Sequence, residues 1–168
     1  MERIEKSVLI ETDAGRVFDH LADPKNFLEI WPSLIAVDNV QMREGGKADW
    51  DWTYKMAGLR FHGRSETVEA DRPRRRVTKN EKGIPSTFEW TFEQREHGTE
   101  VRVRVDYEFP VPLLGKLAAP FLRRMNEREA ETLLENLKER LETMEEARNA
   151  GAGTTTTAPT PHEPRPGA

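Results

Sequence analysis

The chain has no cysteine, which excludes disulfides, thiolate nucleophiles and cysteine-held metals. Histidine is scarce as well. His20, His62, His97 and His162 are the only four, and no two of them share an element at ligand spacing, so no metal site is expected. No apolar run approaches the roughly 18 residues of a membrane span, and the opening Met1-Glu2-Arg3-Ile4-Glu5-Lys6 lacks the apolar core of a secretory signal. These absences point to a cytoplasmic protein with no integral membrane association. A dominant basic charge is missing too. The net charge of -4 and a pI near 5.7 argue against a nucleic-acid partner, because neutralising phosphates normally needs a basic face. Gly-x-Ser-x-Gly, Walker and dinucleotide fingerprints are all absent, so nucleophilic and nucleotide chemistry lack support and no cofactor is expected.

What the chain does have is alternation. Trp50, Trp52, Tyr54 and Met56 alternate with Asp49, Asp51, Thr53 and Lys55, and Phe88, Trp90 and Phe92 alternate with Thr87, Glu89, Thr91 and Glu93. Val101, Val103, Val105, Tyr107 and Phe109 do the same against Glu100, Arg102, Arg104, Asp106 and Glu108. A period of two puts each apolar set on one face of a strand. Strands are expected at about 4–11, 34–43, 47–56, 59–70, 75–80, 87–96 and 99–109. The connectors, such as Ala57-Gly58 and His97-Gly98, carry tight-turn chemistry, which implies an antiparallel meander. Within 59–70 the alternation is poor. Phe61, Gly63, Ser65 and Thr67 inward is the preferred register, with His62 outward.

Two short helices belong after the first strand. One runs over 14–21 behind a Thr12 or Asp13 cap and buries Val17, Phe18 and Leu21. The other starts at Asp23-Pro24 and buries Phe27, Leu28, Ile30 and Trp31. From Leu113 to about Ala147 the period is helical, with Leu114, Leu117, Phe121, Met125, Leu133, Leu137, Leu141 and Met144 on one stripe and Pro120 expected to bend the first third. Residues 1–148 thus read as one domain. After Asn149 the Ala/Gly/Thr/Pro composition has no apolar period, and 149–168 is expected to be a disordered tail.

Several segments carry a resemblance: Ile10-Glu11-Thr12-Asp13-Ala14, Asp23-Pro24 with Trp31-Pro32, Asp71-Arg72-Pro73-Arg74-Arg75, Thr87-Phe88-Glu89-Trp90-Thr91-Phe92 with Gly98-Thr99, and Leu113-Leu114-Gly115-Lys116 before the long helix. In this order the chain resembles the helix-grip fold of the START-like and birch-pollen-allergen-like superfamily (SRPBCC), and within it the polyketide cyclase/dehydrase and lipid transport branch. The fold class this implies is α+β: a curved seven-stranded antiparallel sheet wrapped around a long C-terminal helix, with an elongated apolar cavity between them. A fold shared by lipid, sterol, quinone and polyketide binders identifies an architecture better than an activity.

The residues expected to line that cavity are Trp52, Tyr54, Phe61, Phe88, Trp90, Val103, Tyr107, Leu117, Phe121 and Met125, with the two tyrosine hydroxyls free to orient a ligand carbonyl. The same aromatic stripes could close a dry core. Binding of a small hydrophobic molecule is the leading expectation. The alternatives are a cyclase or aromatase acting on a polyketide-like chain, and a protein-interaction module of the ribosome-association toxin kind. An inward ionisable pair would favour catalysis, and none is evident in the sequence, so no catalytic residue is assigned. The cluster Arg72, Arg74, Arg75 and Arg76 leaves open a transient contact with a membrane surface, though such arginines more often pair with nearby carboxylates. An entrance is expected at Val111 to Phe121.

Overall fold

In the computed structural model, which describes residues 1–108 and 118–153, seven strands form one curved antiparallel sheet. They are β1 (Glu2–Ile10), β2 (Leu34–Arg43), β3 (Lys47–Met56), β4 (Leu59–Asp71), β5 (Arg75–Lys82), β6 (Ser86–Arg95) and β7 (Gly98–Tyr107). Their order is β1-β7-β6-β5-β4-β3-β2, a meander in which β1 closes the sheet by pairing with the last strand. Successive tight turns produce it. Between β3 and β4, Ala57 and Gly58 both adopt positive φ (50° and 79°), the two-residue geometry whose twist matches the flanking strands.

The short helices α1 (Ala14–Ala22) and α2 (Phe27–Ile30) follow β1. The Asp13 side chain caps α1 by accepting the Arg16 backbone N–H at 3.1 Å, and Ala14, Val17, Phe18 and Leu21 turn its apolar face onto the sheet. Asp23 accepts the Lys25 N–H at 3.0 Å and, with Pro24, starts the short 3-10 turn that leads into α2. The long helix α3 (Ala119–Ala152) lies along the concave face and buries Leu122, Leu133, Leu134, Leu137 and Leu141. Polar ties fix its position. The Asn136 side chain donates to the Ile30 carbonyl at 3.0 Å, Lys138 donates to the Leu9 carbonyl at 2.9 Å, and the Glu11 N–H donates to Glu142 at 3.1 Å. No described helix is long and apolar enough to cross a membrane.

Several expectations need correction. Pro120 does not bend α3, because the described helix begins at Ala119 and the proline sits in its first turn, where a backbone N–H has no intrahelical acceptor to lose. The helix runs past the expected end near Ala147 to Ala152. Leu28 is exposed on the outer side of α2, and Phe121 and Met144 are exposed on α3, where Leu122 and Leu134 take the buried positions. Leu113, Leu114 and Leu117, residues 111–117 of the expected entrance, Phe109 of the expected last strand and tail residues 154–168 lie outside the described residues.

The arginine cluster divides. Arg72 pairs with Asp19 at 2.8 Å, Arg74 with Asp71 at 3.1 Å and Arg75 with Glu89 at 2.8 Å, as surface arginines usually do. Arg76 instead points inward and is only 2% exposed. It donates to the Gly46 carbonyl at 2.6 Å and lies 5.2 Å over the Phe18 ring. Burial lowers its pKa to about 10. This cation pins the β2–β3 connection to α1, and the alternation of β5 that carries it inward also carries Thr78 and Asn80.

Candidate functional site

A cavity of about 130 Å³ lies between the concave face of the sheet and α3. All four tryptophans of the chain, Trp31, Trp50, Trp52 and Trp90, line it. Phe27 stacks on Trp50 with centroids 6.4 Å apart and meets Trp90 at 6.3 Å, while Trp31 reaches Tyr54 at 5.7 Å and Phe88 at 5.4 Å. Residues at the start of α2 and just after it therefore close one side of the space, in register with rings from β3 and β6. On the sheet, the Trp52 ring lies over its cross-strand partner Gly63. A Cβ at Gly63 would fall 2.2 Å from the Trp52 ring, so only glycine leaves room for the indole.

Polar groups cross the cavity in one band. Strand register places Trp50 opposite Ser65, Ser65 opposite Asn80, Asn80 opposite Ser86 and Ser86 opposite Tyr107. The Ser65 hydroxyl donates to Asn80 Oδ1, Asn80 Nδ2 donates to Ser86 Oγ at 2.7 Å, and the Ser86 hydroxyl donates to the Ile84 carbonyl at 3.0 Å. The relay ends on backbone, so most of its hydrogen-bonding capacity is spent within the protein.

From α3, Asn126 and Glu129 face the same space one helical turn apart. Glu129 Oε2 accepts the Tyr54 hydroxyl, and Oε1 accepts the Ser33 backbone N–H at 3.1 Å. Burial pushes the Tyr54 hydroxyl well above the ordinary phenol range, and the negative charge of Glu129 adds to the shift, so Tyr54 holds its proton and donates it. Burial likewise raises the Tyr107 hydroxyl, with a hydrogen bond from Asn126 opposing the shift. Among the described residues no lysine, arginine or histidine lines the cavity, and none forms an ion pair with Glu129.

Six of the ten residues expected at the cavity do line it: Trp52, Tyr54, Phe88, Trp90, Val103 and Tyr107. Phe61 faces inward but is buried in the core beside it, and Met125 packs partly buried against that core. Phe121 is 65% exposed, because the α3 stripe passes through its neighbour Leu122. Leu117 lies outside the described residues. The preferred register of β4 is the observed one, with Phe61, Ser65 and Thr67 buried and His62 exposed, its ring 3.0 Å from the Thr53 hydroxyl. Tyr54 does not offer its hydroxyl to a ligand carbonyl, since Glu129 already accepts it.

Sequence reasoning missed Phe27 and Trp31 as cavity walls, the polar band and, above all, Glu129. Its signal was present. Glu129 sits four residues after Met125 and four before Leu133, so a carboxylate fills a position on an apolar stripe.

Residues 1–142 match the model of a family described as polyketide cyclase / dehydrase and lipid transport. No curated protein matches the chain by sequence. Among solved structures, a protein from Thermus thermophilus superposes with a TM-score of 0.74 at 22% identity, over 83% of this chain and 96% of that one. The Zhui aromatase/cyclase from a Streptomyces species superposes at 0.72 with 17% identity, over 90% and 98%. A START superfamily protein from Mycobacterium smegmatis gives 0.70 with 14% identity, over 84% and 98%. At these identities the likeness is one of fold.

Proposed function

The chain belongs to the polyketide cyclase / dehydrase and lipid transport family, and from that premise we propose that it binds a small hydrophobic molecule between its sheet and α3. The supporting observation is the cavity itself. A close-packed core leaves few voids larger than a water molecule, whereas this one amounts to about 130 Å³ with all four tryptophans on its walls. An apolar cavity of roughly 150 Å³ takes a benzene-sized guest, so the space suits a ligand, or part of one, on the scale of a single ring. Trp52, Tyr54, Phe88, Trp90, Val103 and Tyr107 are the contacts we assign to it.

A second reading, cyclase or aromatase chemistry on a polyketide-like chain, is favoured by one observation, the Tyr54–Glu129 pair within the cavity. Two considerations rank it lower. Tyr54 is a weak acid here, because its raised pKa opposes giving up the proton. A folded polyketide also needs more space, since pockets for drug-sized ligands run to roughly 300–1,000 Å³.

Native mass spectrometry of freshly purified protein should reveal a copurified small molecule, and titration with toluene should shift tryptophan emission to saturation. Trp90→Ala should weaken that binding. A variant that loses stability while keeping the affinity for toluene would place the ligand elsewhere and sink the assignment.

A further inference from the structure

We infer, resting on the binding reading above, that Glu129 makes the cavity selective for a neutral aromatic bearing a hydroxyl group and hostile to anionic ligands such as fatty-acid carboxylates and phosphate headgroups. Glu129 is the one charged side chain lining the cavity among the described residues. An anion drawn into that space would meet a carboxylate, with no cation on the described cavity wall to compensate for lost hydration. Arg76, a buried cation on the inward face of β5, is outside the lining and is held by Gly46 and Phe18.

Hydrogen-bonding capacity selects in the same direction. A carboxylate offers about four lone-pair sites, and the Tyr54 hydroxyl and the Ser33 N–H use two. The remainder can accept a proton donor from the ligand. On the protein side the Tyr54 proton goes to Glu129 and the Ser65–Asn80–Ser86 relay is closed on the Ile84 carbonyl, while Trp52, on the wall, keeps a buried indole N–H without a partner. A ligand with a hydroxyl therefore finds a charged acceptor in Glu129, which hydrogen-bonds such a donor more strongly than a neutral one. Glu129 is also a structural bracket that joins α3 to β3 and to the segment after α2. That role predicts a stability effect but no discrimination between ligands of one shape.

Para-cresol, toluene and para-toluate test this, since they share one ring and one methyl group and differ in the group presented to Glu129. Calorimetric titration of the full chain near neutral pH should rank them cresol, toluene, toluate. Each step should be about tenfold, equivalent to about 1.4 kcal/mol. Glu129→Gln keeps the shape and a carbonyl acceptor but removes the charge, and it should narrow the gap between toluate and toluene by about threefold or more, the lost hydration of the anion remaining uncompensated. Tyr54→Phe keeps the charge and should keep toluate excluded. If toluene and cresol bind equally and toluate binds as well as either, the inference falls while the binding proposal stands. If none of the three binds, both fall. Unchanged exclusion of toluate in folded Glu129→Gln would also overturn it, and the ranking in the unaltered protein decides alone should that variant fail to fold.

Discussion

Gly63→Ala tests whether the cavity floor is built as described. The added methyl carbon would lie 2.2 Å from Trp52 Cζ2, 2.6 Å from Cε2 and 2.4 Å from the Lys82 carbonyl oxygen. These distances are far inside ordinary contact, and neither neighbour yields easily. Trp52 is only 7% exposed, so its ring can turn only toward the cavity, and the Lys82 oxygen belongs to the backbone of β5. Overpacking of a filled site costs about 1–3 kcal/mol, and two simultaneous clashes, one with backbone, place this substitution near the upper end, about 3 kcal/mol. For a chain of this size each kcal/mol moves the melting temperature by about 2–4 °C, so a fall of roughly 6–12 °C is expected.

The substitution should also shift tryptophan emission and weaken toluene binding, because the displaced indole takes up cavity space. Trp52→Phe in the Gly63→Ala background should recover part of the loss. The smaller ring relieves one clash and leaves the backbone clash in place, so a coupling of about 1 kcal/mol is expected from a double-mutant cycle by thermal melting. A fall below about 3 °C, or zero coupling, would mean that Trp52 does not lie against Gly63 in solution.

Two further outcomes follow from separate parts of the molecule. Burial first, and then the positive charge of Arg140, depress the His20 pKa below its usual 6.5. The unfolded chain therefore takes up a proton first as the pH falls below about 6.5, and the stabilisation present above that value is lost as the pH falls through the folded-state pKa. His20→Gln should flatten the decline in melting temperature between about pH 7 and about pH 5, and parallel declines in the two proteins would refute the assignment. Removing residues 154–168, whose Thr/Pro/Gly-rich composition offers no apolar face, should leave the melting temperature within about 3 °C, and a larger fall would show that this segment packs.

How much of this was legible in the sequence depends on which physical rule each residue obeyed. The strands could be read because alternation and turn chemistry agree: β2 and β3 fall on their expected limits, and β4 differs by one residue at its end. In β4 the register was legible despite a weak pattern, because Gly63 and Ser65 face inward where bulky Trp52 and Trp50 on β3 oppose them. Phe121 was misplaced for a different reason. A helical stripe read by residue type alone can shift by one position, and the true stripe starts from Leu122, one residue on from Phe121. Arg76 was misplaced because three neighbouring arginines behave as surface residues, and nothing in the composition separates the fourth. Only the alternation along β5, which groups Arg76 with Thr78 and Asn80, would have shown it.

Glu129 belongs to neither kind of error, since its position on the stripe was readable and its meaning was not. A carboxylate among apolar helix positions can mark a frayed stripe, a helix end or a polar partner hidden across the core. What separates these is a long-range fact: Tyr54, 75 residues earlier in the chain, brings its hydroxyl to that carboxylate. The same juxtaposition carries the chemistry of the site. A tyrosine that keeps its proton and a carboxylate with no cation beside it on the described wall make a poor proton shuttle but a good acceptor for a hydroxyl. Thus the one charged group that interrupts the apolar face of α3 within the cavity is the group that separates ligands of equal shape, and the aromatic walls around it set the size that shape can have.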